Sequence, residues 1–301
     1  MRSQCVKLFD RFQSARQRGP VDYRWATHHD GGGDWHVVLC GNIHGNEVGS
    51  LPGLVELAEH IAIGTLCFPH KLTVMLGNPE AALANKRFLE TDLNRCFLDR
   101  PEDTHETRRA RELMPILSTA DLLIDLHQTI RHTERPFYIF PRHPLSLSWA
   151  AKLGASDTYV DATPGPGPSA TRCADEFVWM RDKPAITIEL SEKGFTQSAD
   201  EITKTVIRNL ISTDIEHMQS SQPAIVLSTI HREPYGSSAR RLRPGLSNFT
   251  PIDIGENLAR VGSPDIIAQH SGYLLFPKYP PERSTGELIH PPPEHIYRII
   301  A

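Results

Sequence analysis

The chain has 301 residues, of which 39% are hydrophobic and 23% are charged, and its formal net charge is −4. This composition is typical of a folded protein with an ordinary hydrophobic core and excludes a largely disordered chain. No long run of basic residues suggests a nucleic-acid surface, and no apolar stretch approaches the roughly 20 residues that span a bilayer, so neither nucleic acid nor a membrane is expected as a partner.

The N-terminal residues and the cysteines indicate a reducing compartment. Residues 1–7 lack the apolar segment of a secretory signal. The five cysteines are odd in number and widely scattered, which argues against a disulfide framework. No CxxC pair suggests a structural zinc knuckle. A cytoplasmic protein is therefore expected.

Four short apolar runs predict β-strands, because each is almost continuously hydrophobic, as strands covered on both faces are. They span residues 35–40, 71–76, 122–126 and 185–190. Apolar residues at helical spacing predict helices over residues 49–61, 106–117, 145–153 and 200–218. Pro and Gly predict a loop over residues 161–169. Strands that alternate with helices indicate the α/β class, with a mostly parallel mixed sheet flanked by helices.

The character of the sequence changes near residues 220–223. Beyond this point, turn residues and many prolines separate short apolar runs at 224–230 and 272–277. This pattern is typical of a small all-β unit. The sequence therefore predicts an α/β domain of residues 1–219 and a small β domain of residues 220–301.

Three potential metal ligands follow predicted strands closely. His44 and Glu47 come just after the first strand, and His127 ends the third. Ligands of open α/β sheets bind at the carboxyl ends of the strands, so these side chains are expected to meet. Two imidazoles and one carboxylate suit a catalytic zinc ion, with a fourth position left for water. Any one of them alone is more often an ordinary polar residue, but that reading is weak for all three together.

Glu189 is an acidic residue inside the fourth apolar run. Burial of a carboxylate is costly unless it has a partner or a function. Desolvation raises the pKa of such a group, which suits a general base near neutral pH. The alternative is a structural carboxylate paired with a buried arginine.

The segment 86–95 brings several polar groups close together in the sequence. Arg87, Asn94 and Arg95 can donate forked hydrogen bonds to a carboxylate or a developing oxyanion. Basic residues on a loop are usually surface charge. Asp92 beside them instead favours a tight, hydrogen-bonded loop.

These blocks resemble the succinylglutamate desuccinylase/aspartoacylase family, a branch of the zinc carboxypeptidase-like metallohydrolases. The resemblance spans about residues 35–195 and extends to the YLLFP run at 273–277. It rests on four blocks in the same order: GNIHGNE at 41–47, the segment 77–97, DLHQTIR at 125–131 and TIEL at 187–190.

The resemblance implies a zinc carboxypeptidase-like fold and one zinc ion per chain. His44, Glu47 and His127 would hold the ion. Arg87 would polarise the scissile carbonyl and stabilise the oxyanion. Glu189 would take a proton from the zinc-bound water and hand it to the leaving nitrogen.

The resemblance also implies groups that hold the substrate or orient a ligand. Asn94 and Arg95 would grip the substrate carboxylate, and Arg131 would contact the acyl end. Asp125, two residues before His127, would orient that imidazole.

Two departures from the family pattern affect substrate choice. The position of a second arginine grip, about ten residues before Glu189, is Trp179 here, and neither Arg172 nor Arg181 is in register. The Gly-rich sequence after the catalytic Glu is replaced by residues 191–195.

The expected function is zinc-dependent hydrolysis of the amide of a small N-acyl amino acid. One alternative is a metallocarboxypeptidase that acts on small peptides, which a capping C-terminal β domain would disfavour. Another is a zinc-binding protein without turnover. A nucleotide-binding module is excluded because no GxGxxG or GxxxxGK[ST] pattern occurs. The sequence does not specify which acyl group or which amino acid is used. Whether the protein forms a homodimer is also left open.

Overall fold

The computed structural model describes residues 1–98, 101–131, 133–164, 172–218, 225–236, 239–280 and 294–301. The chain forms two compact units. The first contains Met1–Gln128 and Pro136–Ile225, and the second contains Thr129–Arg135 and Val226–Ala301. The domain boundary predicted between residues 219 and 220 lies outside the described residues and stays a prediction.

The first unit is built on a mixed sheet. Within the described residues its strands lie in the order β1-β3-β2-β4-β7-β5-β6. Strand β2 runs parallel to β3 and β4, and β5 runs parallel to β6, whereas β1 and β7 are antiparallel to β3 and β5. The strands are β1 (Ala26–Asp30), β2 (His36–Gly41), β3 (Lys71–Leu76), β4 (Leu122–Thr129), β5 (Phe137–Phe140), β6 (Tyr159–Asp161) and β7 (Ala185–Glu192).

Seven described α-helices accompany this sheet, so the predicted α/β class is confirmed. The helix predicted over residues 200–218 is too long, because Ser212 already caps its C-terminal end. The predicted loop 161–169 begins with the last residue of β6, and residues 165–169 lie outside the described part. The helices are α1 (Arg2–Ala15), α2 (Leu51–Ala62), α3 (Pro79–Leu83), α4 (His105–Ser118), α5 (Pro144–Leu153), α6 (Ala174–Trp179) and α7 (Gln197–Ile211).

The middle of this sheet is buried on both faces. Every residue of β4 is buried, and so is β2 apart from its first residue. Leu39 in β2 is fully buried, and burial of such a side chain stabilises the fold by about 2 kcal/mol. The continuous apolar runs in the sequence therefore reflect strands covered by helices on both sides.

The second unit carries the additional C-terminal strands. They are β8 (Leu227–Pro234), β9 (Pro251–Ile252), β10 (Gly272–Leu275) and β11 (His295–Ile300). They form an antiparallel sheet in the order β8-β11-β10-β9. Its core includes Tyr235, Leu258, Ile266, Ile296 and Tyr297. Across the described residues, none of the helices has both the length and the apolar character needed to cross a bilayer.

Candidate metal centre and catalytic site

The turn after β2 presents two of the predicted ligands. Asn42 has a positive φ of 58°, which asparagine tolerates better than most residues. Its Nδ2 donates to the carbonyls of His44 and Gly45 at 3.1 and 3.2 Å. A Cβ on Gly45 would lie 2.4 Å from the backbone carbon of Ala81, so only glycine allows this close approach. The turn thus holds His44 and Glu47 beside the end of the strand.

The three predicted ligands converge in the first unit. One ligand atom from each of His44, Glu47 and His127 lies within 4.8 Å of the others, and all three residues are buried. The Glu47 carboxylate lies between the two imidazoles. Its Oε1 is 2.8 Å from His44 Nδ1, and its Oε2 is 3.0 Å from His127 Nδ1.

The donor set fits a divalent metal ion. His44 Nδ1 is buried and has no hydrogen bond of acceptable geometry within the described part of the chain, although Glu47 lies close by. Two imidazole nitrogens and a carboxylate form a set that zinc prefers. A cation among these atoms would satisfy both nitrogens and the carboxylate at once.

Two outer carboxylates orient the imidazoles. Asp92 Oδ1 lies 3.0 Å from His44 Nε2, and Asp125 Oδ2 lies 2.8 Å from His127 Nε2. A proton on each Nε2 satisfies these contacts and leaves each Nδ1 lone pair for a ligand. Sequence reasoning expected this role for Asp125 but missed it for Asp92. Asp92 also accepts from the Asn94 backbone N–H at 3.0 Å, which places its carboxylate.

Arg87 lies against the same group of side chains. Its Nη1 donates to Glu47 Oε1 at 3.1 Å, and both its Nε and Nη2 lie 3.3 Å from Asp92 Oδ2. Its Nη2 is also 2.7 Å from His44 Nε2. A guanidinium only donates, so Nε2 cannot accept from Arg87 while it donates to Asp92. We assign the Nε2 proton to the Asp92 contact, and the two carboxylates hold Arg87.

Glu189 lies on β7 and is 8% exposed. Its Oε2 is buried and has no hydrogen-bond partner within the described residues. Burial, reinforced by the Glu47 carboxylate, raises the pKa of Glu189 to about 7. No ion pair joins it to a described arginine or lysine, so the alternative of a structural carboxylate paired with arginine has no support there. A carboxyl group in this state can exchange a proton near neutral pH.

The side chains of the remaining predicted groups make contacts outside the cluster of His44, Glu47 and His127. Asn94 Oδ1 accepts from the Ala174 backbone N–H at 3.0 Å, and Arg95 Nη1 lies 3.1 Å from Cys173 Sγ. Both contacts join their loop to the start of α6. Arg131 belongs to the second unit, where its guanidinium carbon lies 4.8 Å from the Tyr279 ring centroid. The predicted substrate contacts of these three residues stay predictions.

The region around the missing arginine grip is occupied by other contacts. Trp179 Nε1 donates to the Arg142 carbonyl at 2.8 Å. The Arg181 guanidinium lies 3.6 Å from the Phe177 ring centroid. Arg172 and Arg181 line a depression of about 530 Å³ beside α4 and α6. Within the described residues, neither arginine is hydrogen-bonded to the three clustered ligands.

Sequence reasoning missed two further residues that support the site. The first is Glu106, whose buried carboxylate accepts from three backbone N–H groups of the 89–91 segment and from Asn78 Nδ2. Burial opposes the ionised form, but these hydrogen bonds prevail and lower the pKa of Glu106. Glu106 therefore anchors the loop that carries Arg87 and Asp92. It gave no stronger signal than an acidic residue in the first turn of a helix.

The second missed residue is Gln128, which follows His127. Its backbone N–H donates to Glu47 Oε2 at 3.1 Å. Its side chain accepts from the Gly49 N–H at 2.8 Å and donates to the Glu192 carbonyl at 2.7 Å. Gln128 thus joins the end of β4 to the segments after β2 and β7. The sequence signal of Gln128 was that of a polar residue in a strand that is buried throughout.

Comparisons with known proteins agree with the geometry. The family model "Succinylglutamate desuccinylase/Aspartoacylase catalytic domain" matches residues 34–213. The succinylglutamate desuccinylase of Serratia proteamaculans is 37% identical over 134 residues, which cover 40% of this chain and 41% of the relative. That match spans about two fifths of the relative's length. The succinylglutamate desuccinylase of Pseudomonas fluorescens is 28% identical over 295 residues, covering 86% of this chain and 83% of the relative.

Solved structures show the same fold. The crystal structure of the succinylglutamate desuccinylase from Chromobacterium violaceum superposes with a TM-score of 0.71 at 20% identity, covering 97% of this chain and 96% of that chain. The family model covers more than half of the present chain, and it includes the four sequence blocks that carry the buried candidate ligands, Arg87 and Glu189. The chain belongs to the succinylglutamate desuccinylase/aspartoacylase family.

Proposed function

We propose that the protein is a zinc-dependent amidohydrolase that removes the acyl group from an N-acylated amino acid. The observation that carries this proposal is the convergence of His44, Glu47 and His127, with their ligand atoms within 4.8 Å. Family membership supports a hydrolase that acts on amides. Residues 1–219 would form the catalytic domain and residues 220–301 a small β domain.

The metal would be held by His44 Nδ1, His127 Nδ1 and the Glu47 carboxylate. When bound, zinc supplies Lewis-acid polarisation of the amide carbonyl and makes water more acidic. Asp92 and Asp125 keep the two imidazoles in the tautomer that this binding needs. These five side chains contribute binding and orientation.

Glu189 performs the proton transfers in this proposal. As a carboxylate, it removes a proton from the attacking water. As a carboxylic acid, it donates that proton to the leaving nitrogen. A pKa of about 7 for Glu189 keeps both states accessible near neutral pH, and general acid–base catalysis of this kind contributes about 100- to 10,000-fold in rate.

Arg87 stabilises the negative charge that develops on the carbonyl oxygen. Its guanidinium is held by the Glu47 and Asp92 carboxylates. It therefore needs little reorganisation when the charge develops. Asn94 and Arg95 would grip a substrate carboxylate, and Arg131 would contact the acyl end.

The proposed substrate is a small N-acyl amino acid with at least one carboxylate. Relatives are named for succinylglutamate. In this chain Trp179 occupies the position of the family's second arginine grip, and its indole is bonded to a backbone carbonyl. We therefore expect the preferred acyl group or amino acid to differ from that of the named desuccinylases.

A release assay over acetyl-, succinyl- and formyl-amino acids, with short peptides beside them, tests the proposal. The native protein should release amino acid from at least one N-acyl substrate faster than from any peptide. Preferential cleavage of peptides would favour the metallocarboxypeptidase alternative. Zinc binding without any turnover would favour the non-catalytic alternative.

The variant Glu189→Gln sharpens this assay. It should lower kcat by at least about 100-fold, because the proton-transfer group is lost, while zinc stays bound. The matched control is Glu192→Gln, an exposed residue on the same strand, which should keep near-native activity. Near-native turnover by Glu189→Gln would remove Glu189 from the catalytic role.

A further inference from the structure

The depression of about 530 Å³ beside α4 and α6 combines an apolar surface with two guanidinium groups. Its apolar wall includes Met114 and Pro115 of α4 and Phe177 of α6. Arg172 and Arg181, which come shortly before and shortly after α6, line it as well. None of the described lining residues belongs to the candidate metal centre. The depression is therefore a separate feature of the first unit.

The guanidinium of Arg181 is held in position by Phe177. Its central carbon lies 3.6 Å from the Phe177 ring centroid, a favourable cation–π contact. Its Nη1 donates to the Phe177 carbonyl at 2.6 Å. A guanidinium carries five N–H donors, and the Arg181 side chain makes no other hydrogen bond to the described part of the chain. Its remaining donors are available to a ligand.

Arg172 is fixed by its backbone, whereas its side chain has no partner among the described residues. The Phe97 N–H donates to the Arg172 carbonyl at 3.2 Å, and the Arg172 N–H donates to the Arg95 carbonyl at 3.4 Å. The residue is half-buried, and its guanidinium forms neither a hydrogen bond nor an ion pair within the described ranges. A second set of forked donors thus lines the depression.

The charges of these two arginines are not offset by a described carboxylate. Burial and the neighbouring guanidinium of Arg172 lower the pKa of Arg181, because like charges repel each other. No Asp or Glu lines the described part of the depression. Arg111, which also lines it, differs, since its Nη1 lies 3.3 Å from Asp103 Oδ1. An oxyanion held between Arg172 and Arg181 would relieve their repulsion.

We propose that this depression binds an organic anion that carries a carboxylate or phosphate group on a short apolar chain. The forked donors of Arg172 and Arg181 match the geometry of both kinds of oxyanion. The apolar chain would cover the surface of Met114, Pro115 and Phe177, and each methylene group buried there strengthens binding about fourfold. The proposal does not depend on the deacylase function, because its test measures binding alone.

Titration calorimetry of the full-length, zinc-loaded protein tests the proposal. Hexanoate probes the carboxylate source, and hexyl phosphate probes the phosphoryl source. Acetate lacks the apolar chain, and 1-hexanol lacks the charge. We expect saturable binding of hexanoate or hexyl phosphate that weakens with added salt, and at least tenfold weaker binding of acetate and 1-hexanol. Equal affinity for 1-hexanol and both anions would contradict the role of the arginines.

Arg172→Gln and Arg181→Gln identify the site of binding. Arg172 is half-buried and Arg181 is exposed, so both variants should fold, as a melting curve would verify. Each should weaken binding of the anion about tenfold, because a hydrogen bond to a charged group is lost. The matched control is Arg208→Gln, an exposed arginine of α7 that does not line the depression, and it should leave the affinity unchanged.

Hexanoate could also bind a zinc ion in the proposed metal centre, so the titration is repeated with metal-depleted protein. Binding in the depression should persist without zinc and fall in Arg172→Gln and Arg181→Gln. Binding that disappears with the metal, or no saturable binding of either anion to the native protein, would overturn the proposal. Failure of the release assay would leave this result untouched, so the two proposals fail separately.

Discussion

The candidate metal centre of the first unit and a cavity of about 710 Å³ in the second unit differ in the charged side chains that line them. In the first, carboxyl groups of Glu47, Asp92, Asp125 and Glu189 surround two imidazoles and one guanidinium. In the second, the lining residues include Arg131, Arg241, Arg260 and Lys278. An excess of acid in a buried site favours a cation, and an excess of base favours an anion. In the first unit, the carboxylates beside two imidazoles thus favour the binding of a cation.

The largest effect on activity is expected when the candidate metal centre loses the guanidinium of Arg87. Arg87→Ala should lower kcat by about 100- to 1000-fold, since one oxyanion donor contributes about this much. Zinc content should be retained, because Arg87 is not among the proposed ligands. Steady-state kinetics with the best substrate of the release assay would measure the change. Arg108→Ala, which removes an exposed arginine of α4, is the control, and a loss in both variants would argue against a specific role.

A smaller effect is expected when the same site loses one outer carboxylate. Asp92→Asn should weaken zinc binding about 10- to 100-fold, because the contact that orients His44 Nε2 changes. Competition against a chelator would measure the affinity. Asp103→Asn, an exposed aspartate, serves as the comparison. Unchanged zinc affinity in Asp92→Asn would show that His44 is oriented by other contacts.

The loop that carries Arg87 and Asp92 should depend on Glu106. In Glu106→Gln, one carboxylate oxygen that accepts backbone N–H groups becomes an amide nitrogen, which leaves a buried donor unsatisfied. We expect a loss of about 1–3 kcal/mol in the free energy of unfolding, which urea denaturation would measure. Glu112→Gln alters an exposed residue of the same helix and should cost less. Equal losses would contradict the anchoring role.

An effect that depends on pH is expected for a buried acid outside the candidate metal centre. Burial and the neighbouring Asp125 raise the pKa of Asp175 to about 6. A carboxyl group whose pKa is higher in the folded state binds more protons there, so its contribution to stability falls as pH rises from about 4 to 6. Asp175→Asn should remove this dependence and be more stable than the native protein at pH 7.5, by up to about 3 kcal/mol.

Urea denaturation at pH 4 and pH 7.5 would measure this difference. Asp175 Oδ2 accepts from the Thr187 hydroxyl, and the amide of Asn can keep a hydrogen bond with that hydroxyl. A native protein whose stability relative to Asp175→Asn is the same at both pH values would show that Asp175 does not titrate in this range.

The central strands and the convergence of the three candidate ligands could be predicted because their signals are local. Strands β2, β3, β4 and β7 are continuous apolar runs, and His44, Glu47 and His127 lie at or just after the ends of such runs. Edge elements gave weaker signals. Strand β1 contains His28 and His29 and lacks a continuous apolar run. Helix α1 buries Cys5, Leu8, Phe9 and Phe12 at helical spacing, a signal that sequence reasoning overlooked.

The hydrogen-bond partners of the supporting side chains could not be predicted, because they depend on tertiary contacts. Asp92 could have bound any nearby donor, and only the fold places it 3.0 Å from His44 Nε2. Glu106 lies 15 to 17 residues from the backbone groups that it accepts from. The four cationic residues that line the 710 Å³ cavity of the second unit, Arg131, Arg241, Arg260 and Lys278, come from separate loops. Sequence spacing carries no information on such distances.

Zinc stoichiometry tests the central claim most directly. The native protein, depleted of metal and titrated with zinc, should bind one ion per chain, and Glu192→Gln should do the same. His44→Ala and His127→Ala should each lose stoichiometric binding while they keep a cooperative melting transition. One zinc ion bound per chain in both histidine variants would contradict the account, because the two buried imidazoles would then not form the site.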